Sequence, residues 1–160
     1  MSPTDLIHHP DGVTAVDTHY LRPLMDAAHV IVRNGRAAFV DTGSGQSVPR
    51  LLAALDRLGV ARDAVDWVFL THVHLDHAGG AGALMAALPA ARLVAQPRGA
   101  PHMVDPAKLV AGSIAVYGEA EYRRLYGELT PVPAARVVAA ADGERFTLGG
   151  SAFACLHTPG

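Results

Sequence analysis

The sequence predicts a single α/β domain, because short apolar strands alternate with helical stretches along most of its 160 residues. Residues 65–70 form a short β-branched and aromatic run that is typical of a buried strand. The stretch that follows at 79–88 is rich in Ala, Leu and Met, which favours a helix. Half of the residues are hydrophobic, so the chain has enough apolar side chains to bury a core.

The first strands are expected in a hairpin after an irregular start. Residues 1–19 are polar, and we predict a solvated loop or an edge strand there, which would also account for His8, His9 and His19. Two apolar runs at 28–33 and 36–40 follow, joined by Asn-Gly. This dipeptide favours a tight β-hairpin because both of its residues tolerate positive φ.

The middle of the chain alternates between helices and strands. Residues 47–58 carry leucines at helical spacing, with Ser47 as a candidate N-cap and Gly59 as the stop. The strand at 65–70 and the helix at 79–88 come next. A further strand is predicted at 91–96, where Pro97 ends it.

The segment 98–133 has a different character, because prolines punctuate two predicted helices at about 107–116 and 118–127. It is either an ordinary helical insertion packed on the sheet or a lid over a site, and its length favours the lid. A strand at 136–139, a turn at Asp142-Gly143 and a hairpin formed by 146–148 and 152–156 complete the chain. We interpret Cys155 as a small buried residue within the last strand, in preference to a ligand or a nucleophile.

A cluster of side chains able to bind a metal lies between the strand at 65–70 and the helix at 79–88. His72, His74, Asp76 and His77 fall within six residues. In an extended chain alternate side chains point to one side, so His72 and His74 can face one ion, and Asp76 would continue the alternation before the chain turns at His77. Imidazole and carboxylate ligands suit zinc, and also iron or manganese.

Composition narrows the choice of partners. The net charge is −2 and no basic cluster occurs, so we expect no nucleic-acid partner. No stretch approaches the ~18 apolar residues of a membrane span, and the N-terminus lacks the pattern of a signal peptide. With a single cysteine, the expected compartment is the reducing cytoplasm. We expect a small-molecule substrate and leave assembly into a homo-oligomer open.

The sequence Thr-His-x-His-x-Asp-His-x-Gly-Gly at 71–80 resembles the signature of the metallo-β-lactamase superfamily. Asp41-Thr42-Gly43 is similar to the first motif of that superfamily, and the final residues 157–160, His-Thr-Pro-Gly, resemble the start of its third motif. The resemblance is greatest to its glyoxalase II-like hydrolases. It implies an αββα sandwich, of which this chain supplies the first half together with a helical insertion at about 98–133.

The resemblance also implies a function and roles for particular residues. His72 and His74 would bind one divalent ion and Asp76 and His77 a second, with zinc as the expected metal and iron or manganese as alternatives. A metal-held hydroxide would attack an ester, thioester or related bond, with Asp76 orienting this nucleophile and Asp41 supporting the loop. Residues expected to line the substrate pocket are Tyr20, His102 and Tyr117.

One ligand of the superfamily's third motif would follow Gly160. We therefore expect the domain at 1–160 to be C-terminally incomplete, to require residues beyond Gly160 for a full site and to be weakly active or inactive alone. The alternative is a non-catalytic protein of the same fold that binds metal or a partner. A nuclease of the same superfamily is a third hypothesis, which the lack of basic patches disfavours.

Overall fold

The computed structural model describes residues 5–158. The strands are β1 Leu6–His9, β2 Val13–Asp17, β3 Ala27–Arg33, β4 Arg36–Val40, β5 Val65–Phe69, β6 Arg92–Ala95, β7 Val137–Ala139, β8 Arg145–Leu148 and β9 Ser151–Ala154. The α-helices are α1 Val48–Leu58, α2 Leu75–Ala78, α3 Ala81–Ala87, α4 Ala100–Val104, α5 Ala107–Tyr117 and α6 Glu119–Tyr126. Single 3₁₀ turns lie at Gly45–Ser47, Arg62–Ala64 and Ala134–Arg136.

Seven strands form one mixed sheet in the order β1-β2-β3-β4-β5-β6-β7. The first four are antiparallel neighbours, whereas β4, β5, β6 and β7 run parallel to one another. Strands β8 and β9 pair separately as an antiparallel hairpin. Because β4 and β5 are parallel neighbours, the segments that leave their carboxyl ends start from the same edge of the sheet.

Apolar side chains cover both faces of the large sheet. On one face, Phe39 of β4 shares a fully buried core with Leu51 of α1 and Leu84 of α3. On the other face, the rings of Trp67 and Phe69 lie 5.1 and 5.4 Å from the ring of Phe146 in β8, in edge-to-face arrangements. Helices, a large sheet and a small sheet therefore follow one another as layers, and the predicted α/β class is confirmed.

The local signals in the middle of the chain predicted the elements correctly. Strands β3 and β4 form the predicted hairpin, with Asn34 and Gly35 at φ 47° and 77°. Helix α1 ends at Gly59 in the left-handed conformation, as predicted. Ser47 occupies the N-cap position, but its side chain makes no capping hydrogen bond, and its hydroxyl instead donates to the backbone oxygen of Thr18 at 3.0 Å.

The prediction for residues 1–19 was wrong in part. β1 is an edge strand, which was one of the two predicted alternatives. β2, however, lies inside the sheet between β1 and β3, and Val16 is fully buried. Asp11 and Gly12 form the turn between β1 and β2 at φ 58° and 61°. The buried polar residues Thr14 and Asp17 obscured the apolar pattern of β2. Residues 1–4 of this segment lie outside the described residues.

The segment 98–133 folds as a group of helices, in agreement with the prediction. Helices α5 and α6 match the two predicted ones, and the short helix α4 precedes them. Across residues 5–158, no helix is long and apolar enough to cross a bilayer. Cys155 follows β9 and is half-buried, and this burial raises the pKa of its thiol.

Candidate metal centre

The His-rich turn begins where β5 leaves the sheet. His74 is extended, with φ −64° and ψ 147°, and α2 starts at the next residue. Asp76 and His77 therefore lie in the first turn of a helix, and the prediction that Asp76 continues an extended alternation was wrong. The physical reason is that the chain turns two residues earlier than expected, at Leu75, whose side chain is buried.

The three imidazoles of the turn are in contact. The ring of His72 lies 4.7 Å from that of His74 and 4.3 Å from that of His77, measured between centroids. The Nε2 atom of His77 is 3.7 Å from Oδ2 of Asp76. Burial lowers the pKa of His72, and the neighbouring imidazoles of His77 and then His74 lower it further. A neutral imidazole is the form that binds a metal.

Asp41 holds this turn from the end of β4, and its backbone adopts the left-handed conformation at φ 60°. Its Oδ1 accepts a hydrogen bond from the backbone N–H of Thr71 at 2.8 Å. Its Oδ2 accepts from the Thr71 hydroxyl at 2.7 Å and lies 3.0 Å from Nδ1 of His77. Because a carboxylate only accepts, Nδ1 of His77 carries a hydrogen, and Nε2 is the nitrogen whose lone pair the neutral imidazole offers.

Thr71 extends the effect of Asp41 to a second imidazole. The single hydroxyl hydrogen of Thr71 is donated to Asp41, so its oxygen accepts from Nδ1 of His72 at 3.0 Å. The hydrogen of His72 is therefore also on Nδ1, and Nε2 is again the free nitrogen. One buried carboxylate thus sets the tautomers of two of the four predicted ligands.

The backbone between these residues is packed closely. The backbone N–H of Thr42 donates to the carbonyl oxygen of His77 at 2.7 Å, and that of Gly80 donates to Gly43 at 2.9 Å. A Cβ atom on Gly80 would lie 2.8 Å from the carbonyl oxygen of Ser44, and one on Gly79 would lie 2.4 Å from that of Leu75. Gly80 therefore allows the turn to approach the loop after β4, and Gly79 allows the close path of the turn past Leu75.

A second group of Asp and His lies elsewhere in the fold and was not predicted. Among residues 5–158, the side chains of Asp5, Asp17 and His19 place their ligand atoms within 4.8 Å of one another, a distance that no three of the four predicted ligands meet. An arginine already occupies this cluster: Nη2 of Arg50 lies 2.9 Å from Asp5, and its Nε donates to the backbone oxygen of Asp17 at 2.8 Å. We therefore interpret the group as an ion-pair cluster.

Of the three residues predicted for a substrate pocket, Tyr20 and Tyr117 both contact the ring of Tyr126, whereas His102 lines a different cavity from the one that Tyr20 borders. Tyr20 borders a cavity of about 210 Å³ with polar walls that include Ser44 and Arg50. Tyr117 contacts the ring of Tyr126 edge-on at 5.9 Å. His102 lines a small cavity beside α2 and α3. Within the described residues, no hydrogen bond or ring contact joins these three to the four predicted ligands, and their role in a pocket stays a prediction.

The donor set suits a divalent metal by its chemistry. Three imidazoles and a carboxylate converge on one turn, and two of the imidazoles have Nε2 as the free nitrogen. In the terminal motif at 157–160, which resembles the third motif of the superfamily, the backbone N–H of His157 donates to Asp142 at 2.9 Å. Pro159 and Gly160 of that motif lie outside the described residues.

The fold and the site together define an α/β protein with a His- and Asp-rich centre at the carboxyl edge of a mixed sheet. The family model described as the metallo-beta-lactamase superfamily matches residues 21–160. The chain therefore belongs to the metallo-beta-lactamase superfamily. A comparison with curated proteins returned no match.

Several solved structures are similar to this chain. A HARLDQ-motif mutant of the metallo-beta-lactamase from Cronobacter sakazakii is 26% identical, with a TM-score of 0.71, over 99% of this chain and 56% of that one. MEM-A1, a subclass B3 metallo-beta-lactamase from a soil metagenome library, is 26% identical, with a TM-score of 0.72, over 99% and 54%. SMB-1 is 22% identical, with a TM-score of 0.73, over 99% and 55%, which shows the fold alone. The chain spans about half the length of these proteins.

Proposed function

We propose that the protein is a metal-dependent hydrolase whose ions, most simply two zinc ions, are held at the turn after β5. The observation that carries the proposal is the contact of His72 with both His74 and His77, in a turn where Asp41 orders the imidazole tautomers. In the assignment we favour, His72 and His74 hold one ion and Asp76 and His77 the other. Further ligands would complete the coordination of each ion.

Some residues of this chain would bind the ions, and Asp76 would also take part in proton transfer. A bound divalent ion supplies a Lewis acid that polarises the scissile group and lowers the pKa of a water ligand to roughly 7. Asp41 and Thr71 keep the Nε2 lone pairs of His77 and His72 available for binding. The Asp76 carboxylate, which is one-third exposed, would orient the attacking water and accept its proton at Oδ2.

The substrate we propose is a small molecule with an ester, thioester or related bond, processed in the cytoplasm. The net charge of −2 supports a small molecule over a nucleic acid. A β-lactam is a second candidate, because the similar solved structures at 26% identity are described as metallo-beta-lactamases. A metal-binding protein without catalysis is the alternative to both.

The test uses the full-length protein, with its metal content measured by mass spectrometry and its activity measured on a panel of esters, thioesters, lactones and β-lactams. We expect bound zinc and turnover of at least one class, both lost in His74→Ala. Bound zinc without turnover on any class would favour the non-catalytic alternative. Turnover that His74→Ala leaves intact would overturn the site assignment.

A further inference from the structure

The ligand turn is anchored by apolar side chains that alternate with its ligands. Val73, between His72 and His74, packs against the main core of the domain. Leu75, between His74 and Asp76, is 5% exposed and belongs to a different cluster. The two neighbouring anchors of one metal-binding turn therefore reach into two separate hydrophobic clusters.

The cluster around Leu75 is built from the helical insertion. Its other buried members, Tyr122, Leu125 and Tyr126, all come from α6, and side chains of α5 pack against them. Leu75 is thus the buried member of this cluster that comes from outside the insertion, within the part of the chain described. A shift of α6 would change the packing around Leu75, which sits between two of the predicted ligands.

Tyr126 links this cluster to a second segment near the ligands. Its ring stacks on that of Tyr20 with centroids 5.9 Å apart, and the two hydroxyl oxygens lie 3.1 Å from each other. Burial raises the pKa of Tyr126, and hydrogen bonds with Tyr20 and Tyr117 raise it further. Tyr20 lies in the loop between β2 and β3, and Asp26 at the end of that loop is 4.0 Å from Nδ1 of His77.

We infer that the helical insertion positions the metal ligands through Leu75, with Tyr126 and Tyr20 joining α6 to the loop before β3. Leu75 and Tyr126 are positioning residues in this proposal, which rests on the proposed function because it assumes that the turn binds metal. The insertion would then tune metal affinity and coordination geometry, in addition to whatever part it takes in contacting substrate.

The experiment compares Leu75→Ala with Leu55→Ala in the full-length protein. Leu55 is a fully buried leucine of α1 in the main core, so it is a matched control for loss of packing. Zinc affinity is measured by competition with a chromophoric chelator, and ligand geometry by the visible absorption of the cobalt-substituted protein. We expect zinc to bind about tenfold more weakly to Leu75→Ala, a loss comparable to that of an outer partner of a metal site.

The same variant should show an altered cobalt spectrum, and Leu75→Met should restore both properties because it refills the space. Leu55→Ala should lower the unfolding temperature and leave both properties unchanged. Equal affinity in the Leu75→Ala, Leu55→Ala and wild-type proteins would overturn the inference, as would equal losses in the two variants. A wild-type protein that binds no zinc would instead overturn the proposed function.

A second pair of variants keeps the inference testable if Leu75→Ala does not fold. Tyr126→Phe retains the ring and removes the hydroxyl that meets Tyr20, whereas Tyr122→Phe makes the same chemical change on the same helix. The structure gives the Tyr122 hydroxyl no hydrogen bond to the described residues. We expect a roughly threefold loss of zinc affinity in Tyr126→Phe alone, in line with the loss of one hydrogen bond. Identical zinc affinities in the two variants would contradict the inference that Tyr126 helps to position the metal ligands.

Discussion

The protein contains two clusters of Asp and His that differ in what surrounds them. In the turn after β5, the imidazole of His72 contacts those of His74 and His77, and Oδ2 of Asp41 lies 3.0 Å from Nδ1 of His77. In the cluster of Asp5, Asp17 and His19, the guanidinium of Arg50 forms an ion pair with Asp5. The first group offers free nitrogen lone pairs, whereas the second already holds a cation.

The difference between the two clusters shows that close spacing of ligand-type atoms does not by itself make a metal site. The ligand atoms of Asp5, Asp17 and His19 lie within 4.8 Å of one another, closer than any three of the predicted ligands, yet the guanidinium of Arg50 already pairs with Asp5. A divalent ion there would have to displace or tolerate Arg50, and like charges at short distance repel. The turn at 71–80 contains no Lys or Arg.

The largest expected effect is a loss of zinc affinity when one imidazole is removed from the turn after β5. Removal of an imidazole from the other cluster is the comparison. We predict that His74→Ala lowers zinc affinity by more than ~100-fold, beyond the range for an outer partner, because it removes a ligand. His19→Ala is the control and should retain the wild-type zinc content. The measurement is chelator competition on both proteins. Loss of zinc in His19→Ala alone would reverse the assignment of the two clusters.

A substitution of Asp41 tests whether its hydrogen bonds to Thr71 and His77 are needed for zinc binding. Asp41→Asn presents an amide where three donors now meet a carboxylate, so the tautomers of His77 and His72 are no longer set. We predict a loss of zinc affinity of about 10- to 100-fold. Asp17→Asn, at the other cluster, should destabilise the fold without this loss. Unchanged affinity in Asp41→Asn would show that the carboxylate is not needed for binding.

Removing the cation of the second cluster should affect stability. Arg50→Ala leaves Asp5 and Asp17, which are both buried, without the guanidinium beside them. Because the Arg50 side chain is 21% exposed, we expect a loss of about 2 kcal/mol in the free energy of unfolding, less than for a fully buried pair. Urea denaturation measures it, with zinc content as the second readout. A gain of zinc at this cluster would show that Arg50 alone had excluded the metal.

The smallest effect expected within the two clusters concerns the hydroxyl of Thr71, which joins Asp41 to His72. Thr71→Val keeps the shape of the side chain and removes the hydroxyl between Asp41 and His72. We predict a loss of zinc affinity of about fivefold, equivalent to roughly 1 kcal/mol, and a recovery in Thr71→Ser. Calorimetric titration of the zinc-free protein measures both. If Thr71→Ser does not recover the zinc affinity, the loss results from altered packing and not from the missing hydroxyl.

Elements with short-range signals were predictable from the sequence. Asn34-Gly35, the leucines of α1 and the run at β5 each act through neighbours in the chain, and the structure contains all three elements. Strand β2 was missed because its burial depends on its partners β1 and β3. The polar Thr14 and Asp17 on a buried strand look like a loop until those partners are known.

The sequence by itself determined the turn, since its four predicted ligands lie within six residues and carry the family's motif. Only the tertiary structure decided what supports that turn. Asp41 meets His77 across 36 positions of the chain, and Leu75 meets α6 of the insertion. The physical reason is that hydrogen bonds and packing act over a few ångströms in space, and folding alone brings such distant residues together.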